Sequence, residues 1–346
     1  MTNSQKSFLD LYRITASIFV LVGHCFSFYH VSIFQNETCF PYIQNIGVVM
    51  LFILSGFLTA YSLDNKISFS TEYSFSKFVG HKFARIQREY LPALFFVAII
   101  DSVMLYFDSN SYDYRNNFNF YQFFGNLFFL QGTKINDLII DKFQPFGTAR
   151  PLWTLSIEWW FYLLYGYVFF LIKRQRKLSA PRIALLFLFI FMPFDYLISG
   201  RGGGLGLVFL LGVLSYYTYN MFSDNMLGIL TLVSLYIIYG TIYKDAYRLS
   251  SFILLFLIFS SGLKASERIV ISKRNELIKF LSEMTFMLYL THYSVLYCLN
   301  RIGLSINHSL KLVLGIFLSL ALSFCMYWIF VYRSILIKKE SRQNKE

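Results

Sequence analysis

Low-charge apolar runs recur along this chain and constrain its fold more than any other feature. Most approach about 18 residues or more, the length that a helix needs to cross the hydrocarbon core of a bilayer. The composition agrees, with 56% hydrophobic residues, 14% charged residues and a mean hydropathy of +0.51. We therefore predict an all-α, polytopic transmembrane helical bundle of about ten spans. The spans are expected near Leu11–Phe28, Ile46–Leu63, Tyr90–Phe107, Leu152–Ile172, Ile183–Ile198, Gly203–Tyr219, Met226–Ile242, Leu249–Leu263, Leu277–Leu299 and Leu312–Tyr332.

The basic residues are distributed unevenly between the two ends of the predicted spans. With the N-terminus inside, the inner connecting segments hold more than twice as many Lys and Arg residues as the outer ones. This bias follows the positive-inside rule and predicts that both termini are cytoplasmic. Membrane topology therefore explains the formal net charge of +12 without nucleic-acid binding. We predict a multi-pass protein of the cell (inner) membrane, with the lipid bilayer as a partner and no nucleic acid.

The whole chain, residues 1–346, is predicted to form a single membrane-embedded domain, with residues 337–346 as a charged cytoplasmic tail. The first apolar run is assigned as a span and not as a signal peptide, because no small-residue cleavage pattern follows it. One long outer loop, Asp108–Pro151, contains an apolar segment at Phe118–Leu130 that is too short to cross. The four cysteines are scattered, so we predict neither a metal site nor a disulfide framework.

Two ionisable residues lie inside the first apolar run. Arg13 and His24 are spaced so that a helix places them within about 20° of one face and about 16 Å apart along its axis. Ionisable residues at membrane depth are costly, and by default they indicate function. Arg13 could instead snorkel to the headgroups, and His24 could be a structural histidine bonded across helices. The functional interpretation is that Arg13 and His24, aligned on one helix face, line a path through the bilayer.

Two further ionisable residues are expected in the outer half of the membrane. Glu158 lies about 9 Å into a helix that enters from outside, and His292 lies late in a helix that enters from the cytoplasm. Glu158 could instead be an interfacial residue in a water-filled opening on the outer side. His292, taken alone, is more often a structural residue than a catalytic one. Because His24 is expected at the same depth, the three side chains form a candidate active site. We predict that Glu158 lies within hydrogen-bonding reach of His24, directly or through one water, with His292 as the competing partner.

A pair of arginines precedes the third span on the predicted cytoplasmic side. Arg85 and Arg88 are three positions apart and share one helix face, next to His81 and Lys82. The positive-inside bias alone could account for them. The functional interpretation is a phosphate clamp for an anionic cytosolic ligand, since guanidinium groups match phosphate oxygens.

Five motifs follow one another along the chain: Arg-x10-His (Arg13, His24), a Gly-Val to Ser-Gly-Phe helix (Gly47–Leu58), Arg-x-x-Arg (Arg85, Arg88), Trp-x-Leu-x-x-Glu (Trp153, Leu155, Glu158) and Leu-Tyr-Leu-x-His (Leu288–His292). Together they make the chain similar to the acyltransferase-3 family of polytopic membrane O-acyltransferases, over essentially its whole length. Two departures are Val49, where members often have Asp, and Trp159, where many have a second acidic residue. The resemblance therefore implies no second carboxylate.

The resemblance implies transfer of a short acyl group, usually acetyl, from cytosolic acyl-CoA to a sugar hydroxyl of an envelope polysaccharide or lipid-linked saccharide. Acyl-CoA is then a co-substrate, and no cofactor is bound permanently. Arg85 and Arg88 are expected to bind the CoA phosphates, with Arg13 along the CoA arm. His24 and Glu158 are the expected catalytic residues, because a sugar hydroxyl needs a base within hydrogen-bond reach. The substrate-site candidates are Trp153, Ser156 and His292.

A membrane transporter or flippase for a glycolipid is the alternative function. Intramembrane His, Glu and Arg residues also mark substrate and proton paths in transporters. Transporters usually contain internal repeats or paired broken helices, and the sequence shows neither. The acyltransferase interpretation is therefore preferred.

Overall fold

The computed structural model describes residues 1–29, 42–69, 72–107, 110, 112–133, 142–175, 177–198, 204–302 and 307–334. Within these ranges the chain forms helices and no strand. A 3-10 turn, Arg150–Leu152, leads into α5, and a π-helical turn, Trp328–Tyr332, extends α12. In chain order the α-helices are α1 (Asn3–Tyr29), α2 (Ile43–Phe69), α3 (Phe75–Phe107), α4 (Phe120–Leu127), α5 (Trp153–Lys173), α6 (Ala180–Phe191), α7 (Phe194–Ile198), α8 (Leu205–Thr218), α9 (Met226–Tyr243), α10 (Leu249–Ala265), α11 (Glu276–Arg301) and α12 (His308–Tyr327).

Seven of the described helices are long and apolar enough to cross a membrane. Ala180–Phe191 and Leu205–Met221 are shorter apolar helices. Helix α11 has 26 residues but begins with a charged segment. The predicted all-α, polytopic bundle is therefore confirmed, and the chain is a multi-pass membrane protein. The count of about ten spans and the cytoplasmic termini stay predictions, and the tail at 337–346 lies outside the described residues.

Two predicted spans differ most from the helices that form. The third predicted span begins at Tyr90, whereas α3 already begins at Phe75, because the basic segment before the apolar run continues the same helix. The fifth predicted span, Ile183–Ile198, is divided into α6 and α7. Pro193 lies at the division, where its missing N–H and fixed ring interrupt the helical hydrogen bonds.

Helix α2 packs tightly against its neighbours through glycines. A Cβ atom added to Gly56 would collide with the carbonyl oxygen of Phe209 on α8. The reciprocal contact holds for Gly212 on α8, where an added Cβ would collide with the carbonyl oxygen of Ile53. Gly47 faces the backbone of α1 in the same way. Small residues permit this close approach of backbones, which is a common mode of helix packing in membranes.

The segment that leads into α5 is tied to α3 by a buried carboxylate. Asp101 accepts hydrogen bonds from the backbone N–H and the hydroxyl of Thr148, both at 2.8 Å. Asn126, next to the end of α4, is also buried and donates to the carbonyl oxygens of Gln122 and Gln144. These contacts fix the position of the turn that begins at Arg150.

We expect Gly212→Ala to destabilise the protein, because the added methyl group must push α8 away from α2. Overpacking of this kind typically costs about 1–3 kcal/mol. Gly228→Ala on α9 is the matched control, since an added Cβ there meets no atom within 4 Å. The measurement is the thermal unfolding midpoint of the purified proteins in detergent. An unchanged midpoint for Gly212→Ala would contradict the close packing of α2 on α8.

Candidate active site

A cavity of about 500 Å³ lies between helices α1, α2, α3, α5, α11 and α12 with its π-helical turn, and we call it the arginine cavity. All three arginines predicted to bind the donor line it. Four basic and three acidic side chains contribute to its wall, which is an unusual density of charge for a membrane protein. The charged lining residues are Arg13, Lys82, Arg85, Arg88, Glu89, Glu158 and Glu283.

The three arginines of this cavity are available for a ligand. Arg85 and Arg88 are exposed to the cavity opening, and Arg13 is half-buried. Within the described part of the chain, no hydrogen bond or ion pair involves any of the three guanidinium groups. Guanidinium groups grouped without a partner in one cavity match an anionic ligand with several oxygen atoms.

Glu158 is bonded to neighbours within the arginine cavity and not to His24. Its Oε1 atom accepts hydrogen bonds from the hydroxyls of Ser55 and Tyr162. The Lys82 ammonium lies 3.9 Å from the centre of the Tyr162 ring, so a cation is adjacent to this group. Among the described residues, Glu158 therefore forms no direct hydrogen bond with His24, and the contact through one water stays a prediction. Ser55, which directly precedes Gly56 on α2, is bonded to Glu158 where the sequence predicts His24 as the partner.

Sequence reasoning missed two acidic groups of the arginine cavity. The Oε2 atom of Glu89 is buried and has no hydrogen-bond partner among the described residues. Glu283 accepts a hydrogen bond from the hydroxyl of Tyr327 at 2.9 Å. The sequence does indicate Glu89, because it lies four positions after Arg85 and therefore on the same face of α3. Glu89 was left out of the predicted site because the predicted span begins one residue later, at Tyr90.

His24 lines a second cavity of about 390 Å³, which we call the histidine cavity. The His24 ring centre lies 5.3 Å from the ring centres of both His292 and Tyr293 on α11. His24 is only half-buried, so its ring is accessible to a ligand in this cavity. The lining of the cavity also includes Gln44, Arg150, Trp153 and Tyr247.

His292 lies behind His24 and lines neither cavity. Its Nδ1 atom is 3.0 Å from the carbonyl oxygen of Leu288. Because a carbonyl can only accept, Nδ1 carries the proton, and Nε2 of the neutral ring keeps its lone pair. Nε2 is buried and has no partner among the described residues. The structure thus brings together His24 and His292, whereas Glu158 belongs to the other cavity.

The two remaining substrate-site candidates are placed differently. Trp153 lines the histidine cavity. Ser156 is buried, lines neither cavity and donates to the carbonyl oxygen of Phe129 at 2.6 Å. Trp160 Nε1 donates to the same oxygen at 2.9 Å. Phe129 has a φ of +59°, so both side chains stabilise a backbone turn that the sequence does not reveal.

Three residues line both cavities and form what we call the shared wall: Val48, Thr154 and Tyr289. The hydroxyl oxygens of Thr154 and Tyr289 are 2.5 Å apart. Both hydroxyls also lie within hydrogen-bonding distance of the Pro151 carbonyl oxygen, at 2.9 Å and 3.2 Å respectively. Hydrogen bonds among two side-chain hydroxyls and one backbone carbonyl therefore stabilise the wall between the cavities.

Comparisons with known proteins agree with this arrangement. A family model described as an acyltransferase domain, that of acyltransferase 3, matches residues 6–328. No curated protein and no solved structure matched the chain. The matched region extends from α1 to the first residue of the π-helical turn after α12 and contains every lining residue of the two cavities except Val331. The chain belongs to the acyltransferase-3 family and is a membrane-embedded acyltransferase.

Proposed function

We propose that this protein transfers a short acyl group, acetyl in the simplest case, from cytosolic acyl-CoA to a sugar hydroxyl of a cell-envelope polysaccharide or lipid-linked saccharide. One observation carries the proposal: a cavity with three guanidinium groups that have no partner among the described residues adjoins a cavity that contains an accessible imidazole. The donor and the acceptor then bind on opposite sides of the shared wall. The proposed location is the inner membrane, with the arginine cavity open to the cytoplasm.

On the donor side, the phosphates of CoA are assigned to Arg85 and Arg88 at the cavity opening. Arg13 lies deeper on α1, where it would contact the CoA arm. CoA is an anionic co-substrate that binds and leaves in each cycle, so no permanently bound cofactor is required. Glu158 is assigned a positioning role, because its hydrogen bonds organise Ser55 and Tyr162 on the cavity wall.

On the acceptor side, neutral His24 acts as the general base. It removes the proton from a sugar hydroxyl while the oxygen attacks the thioester carbonyl carbon. The new carbon–oxygen bond forms, the carbon–sulfur bond breaks, and the imidazolium returns the proton to the departing CoA thiolate. His292 packs behind His24 and fixes the orientation of its ring. The thioester reaches His24 by passing the shared wall, which must open locally for transfer.

We expect His24→Ala to abolish acyl transfer without changing the abundance of the protein in the membrane. Loss of a general base typically lowers the rate by about 10²–10⁴-fold. His308→Ala is the matched control, because His308 is exposed at the start of α12 and lines neither cavity. The measurement is transfer of radiolabelled acetyl from acetyl-CoA to saccharide by purified protein. A wild-type rate of acyl transfer in His24→Ala would show that His24 is not the general base. If the wild-type protein translocated the saccharide without acylating it, the alternative function of a flippase would be favoured.

The double change Arg85→Ala with Arg88→Ala should weaken acyl-CoA binding about tenfold or more, because each charge-assisted hydrogen bond contributes roughly 1.5–3 kcal/mol. Lys77→Ala, at an exposed position on the same helix, is the control. Calorimetric titration with acyl-CoA measures the effect directly. Equal affinity in the double variant and the wild type would show that the CoA phosphates bind elsewhere.

Glu158→Gln should raise the KM for acyl-CoA and leave the KM for the saccharide unchanged. Glutamine keeps the size of the side chain but replaces the carboxylate with an amide, so the hydroxyls of Ser55 and Tyr162 lose their shared acceptor. We expect the KM for acyl-CoA to rise about tenfold. Glu276→Gln, at the exposed start of α11, serves for comparison. Steady-state kinetics with each substrate varied in turn provides the test. A change confined to the saccharide KM would reassign Glu158 to the acceptor side.

A further inference from the structure

The histidine cavity carries a fixed positive charge that the proposed reaction does not use. Arg150 lies in its wall. The guanidinium carbon lies 5.7 Å from the centre of the Tyr114 ring, and among the described residues it forms no hydrogen bond or ion pair. None of the described residues that line this wall is acidic either. Because arginine stays protonated, this cavity, which His24 also lines, contains a cation that no described acidic side chain compensates.

The surrounding backbone holds Arg150 in place. Two residues earlier, Thr148 is bonded to the buried carboxylate of Asp101. One residue later, the Pro151 carbonyl lies within hydrogen-bonding distance of both hydroxyls of the shared wall. Arg150 itself is half-buried, which removes part of its hydration. A partly dehydrated guanidinium on a fixed turn is suited to bind an anion, preferably through two oxygen atoms.

The other lining residues suit a saccharide. Trp153, Tyr247 and Tyr293 offer flat apolar faces, while Gln44 and Asn45 offer amide groups for hydroxyls. A volume of about 390 Å³ is within the range of small-molecule sites. The cavity therefore combines surfaces for a sugar ring with one site for a negative charge.

We propose that the acceptor is an acidic saccharide, bearing a carboxylate or a phosphate group, and that Arg150 binds this group. The inference rests on the proposed function and narrows its substrate class. The anionic group, held by Arg150, positions the saccharide so that one hydroxyl lies beside His24. Arg150 thus determines which saccharides are accepted and takes no part in bond making or breaking.

The test compares three acceptors that differ only in charge: an oligosaccharide containing a uronic acid, its carboxyl-reduced neutral form, and the neutral form carrying a phosphate ester. Wild type is expected to prefer a charged acceptor in kcat/KM by about tenfold or more. Arg150→Gln should remove the preference by raising the KM for that acceptor, with transfer to the neutral form unchanged. Arg115→Gln is the control, because Arg115 is exposed in a neighbouring turn and does not line the cavity.

Two results would overturn the inference. The first is a wild-type enzyme that uses neutral and charged acceptors equally well. The second is an equal loss of kcat with all three acceptors in Arg150→Gln, which would place Arg150 at the developing oxyanion instead. Binding of the same oligosaccharides without acyl-CoA is measured in parallel. A charge preference in binding that depends on Arg150, without any acyl transfer, would support the acidic ligand and refute the proposed function.

Discussion

The close packing of α2 against α1 and α8 is the constraint on which both cavities depend. Gly47 and Gly56 lie nine positions apart on α2 and leave no room for a side chain toward the neighbouring backbones. These two contacts also fix the positions of the adjacent residues on α2, Val48 after Gly47 and Ser55 before Gly56. Ser55 is brought to Glu158, and Val48 is brought into the shared wall. Larger residues at these glycines would move the helix that joins the two cavities.

The helical class and most of the residues that line the cavities could be predicted from the sequence. Apolar runs reveal helices because lipid requires all backbone polar groups to be bonded within the chain. The ionisable residues could be found because they interrupt these runs. The division at Pro193 and the early start of α3 were missed, since both depend on where a helix continues beyond its apolar part.

The partners of these residues could not be predicted in the same way. Depth along a helix axis placed Glu158 and His24 at one level, but depth does not state the direction in which a side chain points. Ser55 and Tyr162 bond to Glu158 because of the rotation of α2 and α5 about their axes. That rotation is set by contacts such as those of Gly56, which are tertiary and leave no periodic pattern in the sequence.

The two cavities divide the ionisable groups by chemical task. The arginine cavity collects cations and carboxylates, which suits a large, charged and flexible ligand. The histidine cavity combines His24 and Arg150 with aromatic and amide side chains, which suits a smaller ligand with hydroxyl groups.

The shared wall also has a consequence for the membrane itself. A cell that maintains a proton gradient cannot tolerate a continuous column of water across its bilayer. The hydroxyls of Thr154 and Tyr289, 2.5 Å apart and both within reach of the Pro151 carbonyl, use their hydrogen-bonding capacity on each other and on the backbone. In the proposed arrangement, with one cavity open to each side, ion conductance is suppressed at this contact while an acyl group still has only a short distance to travel.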